Sequence, residues 1–284
     1  ESTASIATPT VTAERSLILL SEKSSGSSVF QREICKTAGV HHVQHSEHYE
    51  HETLFWLKSA ILVCPDREKF LDGTPKFTVE DARKKLRALI CENCPEFQVP
   101  DSNGELVEAG WAALRKTYAP VFFEKSPHHL QNWAALETML ETLRRLDDDF
   151  RIVALVRNPL DVLHSAWARW QSPPETRQHV WRQSHENLLR LLDVLPAERL
   201  SLIHYEDLAT NPVDILQHIC RFAGLPYDPS IGRSIHSKSV NRSAKRGLRW
   251  KLPLPRNRKQ PFPKDFVLAP EVRAVAREFG YCRD

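Results

Sequence analysis

The sequence predicts an α/β fold, three layers with a central parallel sheet and a P-loop-like, anion-binding strand–loop–helix near its start. Three observations carry this expectation. Short apolar runs recur along the chain, each followed by ten or more residues at helical spacing. The runs are apolar throughout rather than alternating, as in strands covered on both faces. The first run, Ser16 to Ser21, ends in a turn rich in serine and glycine that opens a helix.

Taken in order, residues 1–14 are rich in Ser, Thr, Ala and Pro and read as a flexible tail. "SLILLS" is a buried strand, and 27–38 is the helix after it. The His-rich stretch 41–51 reads as a loop or short strand, and "TLFWLKSAILV" as an apolar helix. In "TVEDARKKLRALICENC", Thr78 and Asp81 suit a capping box ahead of an amphipathic helix. We expect residues 66–118 to form a helical insertion over a single domain spanning 15–284. "PVFFEKSP" is the second strand with its turn, and "NWAALETMLETLRRL" is helical. "RIVALVRNP" is a third strand running into a helix over 160–170. "RLSLIHYEDL" is a fourth strand, followed by a helix over 212–223 and a turn at "GLPYDP". "APEVRAVAREFGY" closes the chain as a helix. No internal repeat is visible.

Composition narrows the function classes. At 284 residues and a net charge of +3, the chain has no overall polybasic character, so any anion site is local. Nothing approaches the roughly 18 apolar residues of a membrane span. The chain begins at Glu1, without methionine, so an N-terminal signal or anchor is compatible with it and both cytoplasmic and Golgi-lumenal locations stay open. Six cysteines are too dispersed for a disulfide scaffold. Cys91 and Cys94 have the spacing of a zinc half-site, a local disulfide or a redox pair, but no second pair lies nearby. We read them as ordinary thiols at a helix end.

The Ser/Gly turn carries the first functional signal. After a strand and before a helix, free amides and the positive end of the helix dipole converge on one point, where phosphate or sulfate binds. Gly26 lets the backbone approach the anion, Ser24, Ser25, Ser27 and Ser28 supply hydroxyls, Lys23 adds charge, and the amides through Val29 complete the cradle. The nucleoside-triphosphate loop G-x-x-x-x-G-K-[ST] does not match, because Ser21 and Ser27 replace its first glycine and its lysine.

Two more strand ends point the same way. "RIVALV" delivers Arg157, and Ser165 follows eight residues later in the next helix, a planar charged fork and a hydroxyl suited to a phosphate. "PVFFE" delivers Glu124, Lys125 and Ser126 to the same edge of the sheet. Between Lys238 and Lys259 there are nine Lys or Arg residues and no acid. Only Trp250 interrupts this run with an aromatic ring, so general nucleic-acid binding is not expected.

Together these stretches resemble the sulfotransferases that use 3′-phosphoadenosine 5′-phosphosulfate, above all the carbohydrate, heparan sulfate-type and bacterial branches, over most of the chain. "SEKSSGSSVFQREI" resembles that family's loop for the 5′-phosphosulfate, and "RIVALVRNPLDVLHSAW" its 3′-phosphate strand and helix. "FFEKSP" resembles the E-K-[ST]-P turn, and "LSLIHYEDLATNPVDILQHICRFAGLPY" the R-Y-E-D-L…F-L-G-L-P stretch. One departure stands out: Ser24 holds the place of the family's loop Lys or Arg, and the charge sits one residue earlier, on Lys23.

The resemblance implies sulfuryl transfer from that donor to a hydroxyl or amine of a small-molecule or carbohydrate acceptor, without a metal. It implies Lys125 as a catalytic cation, and Arg242, Lys245, Arg246 and Gly247 as a flap over the nucleotide. The base that takes the acceptor's proton falls in "HHVQHSEHYEHETLFW". Glu47, 21 residues after Gly26, comes first by the family's spacing, Glu52 second, and His48 or His51 stays possible. His45, His48 and His51 recur every third residue, a spacing that also suits metal ligation. The competing readings are a kinase-like phosphotransferase, which would need magnesium and a carboxylate to hold it, and a non-catalytic nucleotide-binding module. Oligomeric state is not legible.

Overall fold

A computed structural model describes residues 14–64, 77–233, 235 and 261–281. Residues 1–13 of the expected tail and the expected flap at Arg242, Lys245, Arg246 and Gly247 lie outside the described residues. Five strands form one wholly parallel sheet: β1 (Arg15–Ser21), β2 (Val40–His41), β3 (Val121–Lys125), β4 (Asp149–Val156) and β5 (Leu200–His204), in the order β2-β3-β1-β4-β5. The central strand β1 pairs Leu19 with Lys125 on one side and Ser21 with Leu155 on the other, which brings three strand ends to one edge. The chain leaves β1 toward one side of the sheet and crosses back over it between β3 and β4. The crevice between these strand ends is where such sheets bind ligands.

Helices cover both faces. The first are α1 (Ser27–Ile34), α2 (Phe55–Val63), α3 (Val79–Asn93), α4 (Asn103–Thr117) and α5 (Trp133–Arg145). They are followed by α6 (Pro159–Trp170), α7 (Pro174–Val194), α8 (Tyr205–Thr210), α9 (Pro212–Ala223) and α10 (Pro270–Glu278). Alternate residues of β1 show why the strand reads as apolar throughout. Ile18 and Leu20 enter a core shared with α2–α5 and α7, while Leu17 and Leu19 enter a second core shared with α1, α8 and α9. None of the described helices is long and apolar enough to cross a membrane.

Four segments differ from the sequence expectation. The stretch Tyr205–Leu208, expected to end the fourth strand, belongs to helix α8, because β5 ends where it passes β4 at Val156↔His204. Helix α7, with 21 residues, was not anticipated at all; its apolar positions are spaced irregularly among Arg, Gln, Ser and His that are themselves buried. Helix α1 ends at Ile34 rather than continuing to 38. The helical stretch expected as an insertion over the core instead builds part of it. Trp111 of α4 is fully buried, its ring 5.1 Å from Phe55 and Phe122 and 4.3 Å from Trp56, and its indole N–H donates to buried Asp148 at 2.9 Å. Thr78 caps α3 as expected, accepting from the Asp81 amide at 3.1 Å. Cys91 and Cys94 are both free thiols, and Cys94 Sγ lies 3.1 Å from Thr117 Oγ1.

Candidate functional site

The loop after β1 has the shape its sequence suggests. Gly26 caps α1 at φ 96°, a left-handed conformation that costs glycine little. A Cβ there would also lie 2.3 Å from two ring atoms of Tyr205, so the site has room only for hydrogen. Ser24 likewise has a positive φ of 69°. Of the amides expected to face an anion, two are taken. Ser25 N–H donates to Glu22 O at 3.2 Å, and Val29 N–H donates to Gly26 O at 2.9 Å. The tight turn and the first helical turn use them up. The amides of Gly26, Ser27 and Ser28 donate to no backbone carbonyl among the described residues, as expected at a helix start.

Several polar atoms in the cradle are buried without a partner. The hydroxyls of Ser24 and Ser25 and Nε of Arg157 are three of them. Buried polar groups rarely stay unpaired, so orphans clustered at one loop call for an external partner rich in oxygen. Arg157 stands at the end of β4 as its sequence position requires. Its Nη1 donates to Ser24 O at 2.8 Å, and its guanidinium stacks on Tyr205 with the central carbon 4.4 Å from the ring centre. The next residue, Asn158, caps α6 by accepting from the Leu160 amide, and its own amide donates to Glu206 at 3.0 Å. Ser165 is half-buried two turns into α6.

On the other side, β3 delivers Lys125, whose Nζ lies 3.0 Å from Glu52 Oε1. Lys23 is within electrostatic reach of Glu52, and burial, followed by the charge of Arg177, lowers its pKa. The structure thus gathers Lys23, Lys125 and Glu52 into one group.

Glu47 sits in a different setting. Its carboxylate meets Lys85 at 2.5 Å, His48 at 3.2 Å and Lys58 at 3.5 Å. Burial pushes its pKa up, but the hydrogen bond from Lys85 and the nearby positive charges outweigh this and leave it below the usual range. Lys58, almost wholly buried, is pushed down to about 8 by burial, and His48 to about 4 by burial and then the Lys58 charge. His45, His48 and His51 do not converge: the His51 ring lies tilted against His42 with centres 4.6 Å apart, and among the described residues no three metal-ligating side chains group together.

Behind Lys125 lies a buried network that sequence reasoning did not identify. Glu124 accepts from Thr53 Oγ1 at 2.7 Å and Ser126 Oγ at 2.6 Å, and its other oxygen faces His129 Nδ1 at 3.4 Å. Ser126 Oγ accepts the amides of Thr53 and Leu54, both at 3.0 Å, while His129 Nε2 accepts the Trp56 amide at 3.2 Å. This ties the end of β3 to the start of α2, next to Glu52. Glu124 and Ser126 fall in the E-K-S-P stretch that the sequence placed at this strand end, whereas His129, two residues beyond it, carried no sequence signal.

Comparisons with known proteins bear on the family and the fold. The model of the sulfotransferase family matches residues 22–229, so the chain belongs to that family. Carbohydrate sulfotransferase 3 of Tetronarce californica is 30% identical over a stretch covering 41% of this chain and 34% of that protein, so the match spans about a third of the relative's length. Among solved structures, the sulfotransferase domain of the Synechococcus PCC 7002 olefin synthase superposes with a TM-score of 0.58, at 20% identity over 98% of both chains. The sulfotransferase domain of the curacin biosynthetic pathway gives 0.54, at 19% identity over 93% of this chain and 97% of that one. At such identities these two likenesses extend to the fold.

Proposed function

We propose that the chain transfers a sulfuryl group from 3′-phosphoadenosine 5′-phosphosulfate to a hydroxyl or amine of a small-molecule or carbohydrate acceptor. The observation that carries this reading is the set of orphaned donors at the β1–α1 loop, the Ser24 and Ser25 hydroxyls and Arg157 Nε, in a cradle capped by left-handed Gly26. These residues fit a phosphosulfate: free amides at a helix start, hydroxyls, and Lys23, Lys125 and Arg157 around them. Bound there, the donor supplies an activated sulfuryl group and a phosphate leaving group.

The chain's own residues do the rest. The amides of Gly26, Ser27 and Ser28 fix the anion, and Lys23 and Lys125 offset charge as it builds on the leaving oxygen. Arg157 and Ser165 hold the 3′-phosphate side. Glu52, placed by its ion pair with Lys125, takes the acceptor's proton; this setting favours it over Glu47, which is engaged by Lys85, His48 and Lys58.

Titration calorimetry with 3′-phosphoadenosine 5′-phosphate, without added metal, tests the donor site. Wild-type protein should bind, and Arg157→Ala should weaken binding by about ten-fold or more, the scale of one lost charge-assisted hydrogen bond. Wild-type protein that fails to bind would defeat this reading.

A further inference from the structure

The anion loop begins with an oddity. Glu22, immediately before Lys23, is fully buried at the end of β1. A buried carboxylate beside an anion site would repel the anion it serves. It is held by residues far away in sequence. Arg177 of α7 donates to Oε1 in a close ion pair, Ser184 Oγ donates to Oε2 at 2.6 Å, and Gln131 Nε2 reaches both oxygens at 3.2–3.3 Å. Both carboxylate oxygens are therefore saturated.

Arg177 is not saturated in the same way. It is 8% exposed, and its Nε is buried without a partner. Its charge also acts on Lys23 of the loop and on His128, just after β3. Next to the loop there is thus one positive group whose charge is felt by Lys23 and one negative group ion-paired with it.

We propose that Glu22 sets the affinity of the donor site by neutralising Arg177 under the loop, a tuning role that rests on the donor reading above. The pairing also bears on the departure noted in the loop. With a carboxylate at 22 and an arginine beneath it, the lysine at 23 stands in a net field that neither partner would give alone. Glu22 acts through Arg177 and through the loop backbone, where its carbonyl holds the Ser25 amide.

The test is a charge cycle read by calorimetry with 3′-phosphoadenosine 5′-phosphate, at low and high salt, on the wild type, Glu22→Gln, Arg177→Met and the double variant. Glu22→Gln leaves the Arg177 charge uncompensated, so it should bind about ten-fold tighter with a steeper salt dependence. Arg177→Met uncovers the carboxylate and should bind about ten-fold weaker or worse. The double variant, neutral under the loop, should return close to wild-type affinity. A purely structural role predicts that all three variants bind more weakly. Glu22→Gln binding no tighter than wild type, with an unchanged circular-dichroism spectrum, would overturn the proposal. If Glu22→Gln does not fold, the double variant decides: recovery relative to Arg177→Met supports charge compensation, and no recovery overturns it. A wild type that does not bind at all condemns the donor reading, and this proposal falls with it.

Discussion

At the scale of single residues, the two candidate bases separate by what holds them. Glu52 is bound to Lys125, which stands at the end of β3 beside the anion loop, whereas Glu47 is exposed and bound to Lys85. The family's spacing after Gly26 puts Glu47 first, whereas the proposal of Glu52 rests on its contact with Lys125. Residues Tyr49–His51 form a single 3₁₀ turn in which Glu50 and His51 take positive φ, and this turn brings Glu52 back toward the loop. Transfer from radiolabelled donor to a panel of glycan and phenol acceptors tests the assignment. Glu52→Gln should abolish transfer while phosphoadenosine phosphate still binds. Glu47→Gln should retain most of the transfer. The reverse pattern would restore Glu47 as the base.

At the scale of elements, the junction between β3 and α2 is the most exacting part of the site. Ser126 Oγ is the acceptor for two buried amides, Thr53 and Leu54, the second on a residue with φ 49°. Ser126→Ala strands both amides, each at about 1–3 kcal/mol. We expect urea unfolding to show a loss of at least the lower figure, whereas Thr53→Ser, which keeps its hydroxyl, stays near wild type. An unchanged midpoint in Ser126→Ala would mean that the amides find another partner. The same junction shows what could be read from sequence. Four of the five strands, the Ser/Gly loop and Arg157 were legible because each signal is local, an apolar run or a turn within ten residues, whereas the two-residue β2 is too short to give one. The partners of Glu22 lie 109, 155 and 162 residues away, on the turn before α5 and on α7. Helix α7 was itself hidden, because its inward face carries Arg177, Gln178, Ser184, His185 and Asn187 between its apolar residues. A helix that buries polar groups against a polar site loses the periodicity by which helices are recognised.

At the scale of the whole molecule, α7 also sets how the fold responds to acid. His185 is completely buried between α7 and the C-terminal segment, stacked on Trp181 at 3.7 Å and edge-on to Phe279 at 5.3 Å. Its Nδ1 lies 2.7 Å from the Trp181 carbonyl, which only accepts, so that nitrogen carries a proton, while burial with no partner at Nε2 keeps the ring neutral. Burial pushes its pKa down to about 3, from an ordinary value of 6.5. Between these two values the unfolded chain binds a proton that the folded chain refuses. Stability is therefore full above about pH 6.5 and falls as the pH drops toward 3, by at most about 1.4 kcal/mol per pH unit for this one group. His48 and His128, pushed down to about 4 and about 2, act in the same direction. The loss reaches the site, since Trp181 donates its indole N–H to the Arg157 carbonyl at 3.2 Å. His185→Asn keeps a donor near Nδ1 and does not titrate in this range. It should lower stability at pH 7.5 while making the decline from pH 6.5 to 4 shallower than in the wild type. Urea midpoints measured across that range decide the matter: parallel declines in the two proteins would mean that His185 is already protonated in the fold, or that the acid limb belongs to other groups.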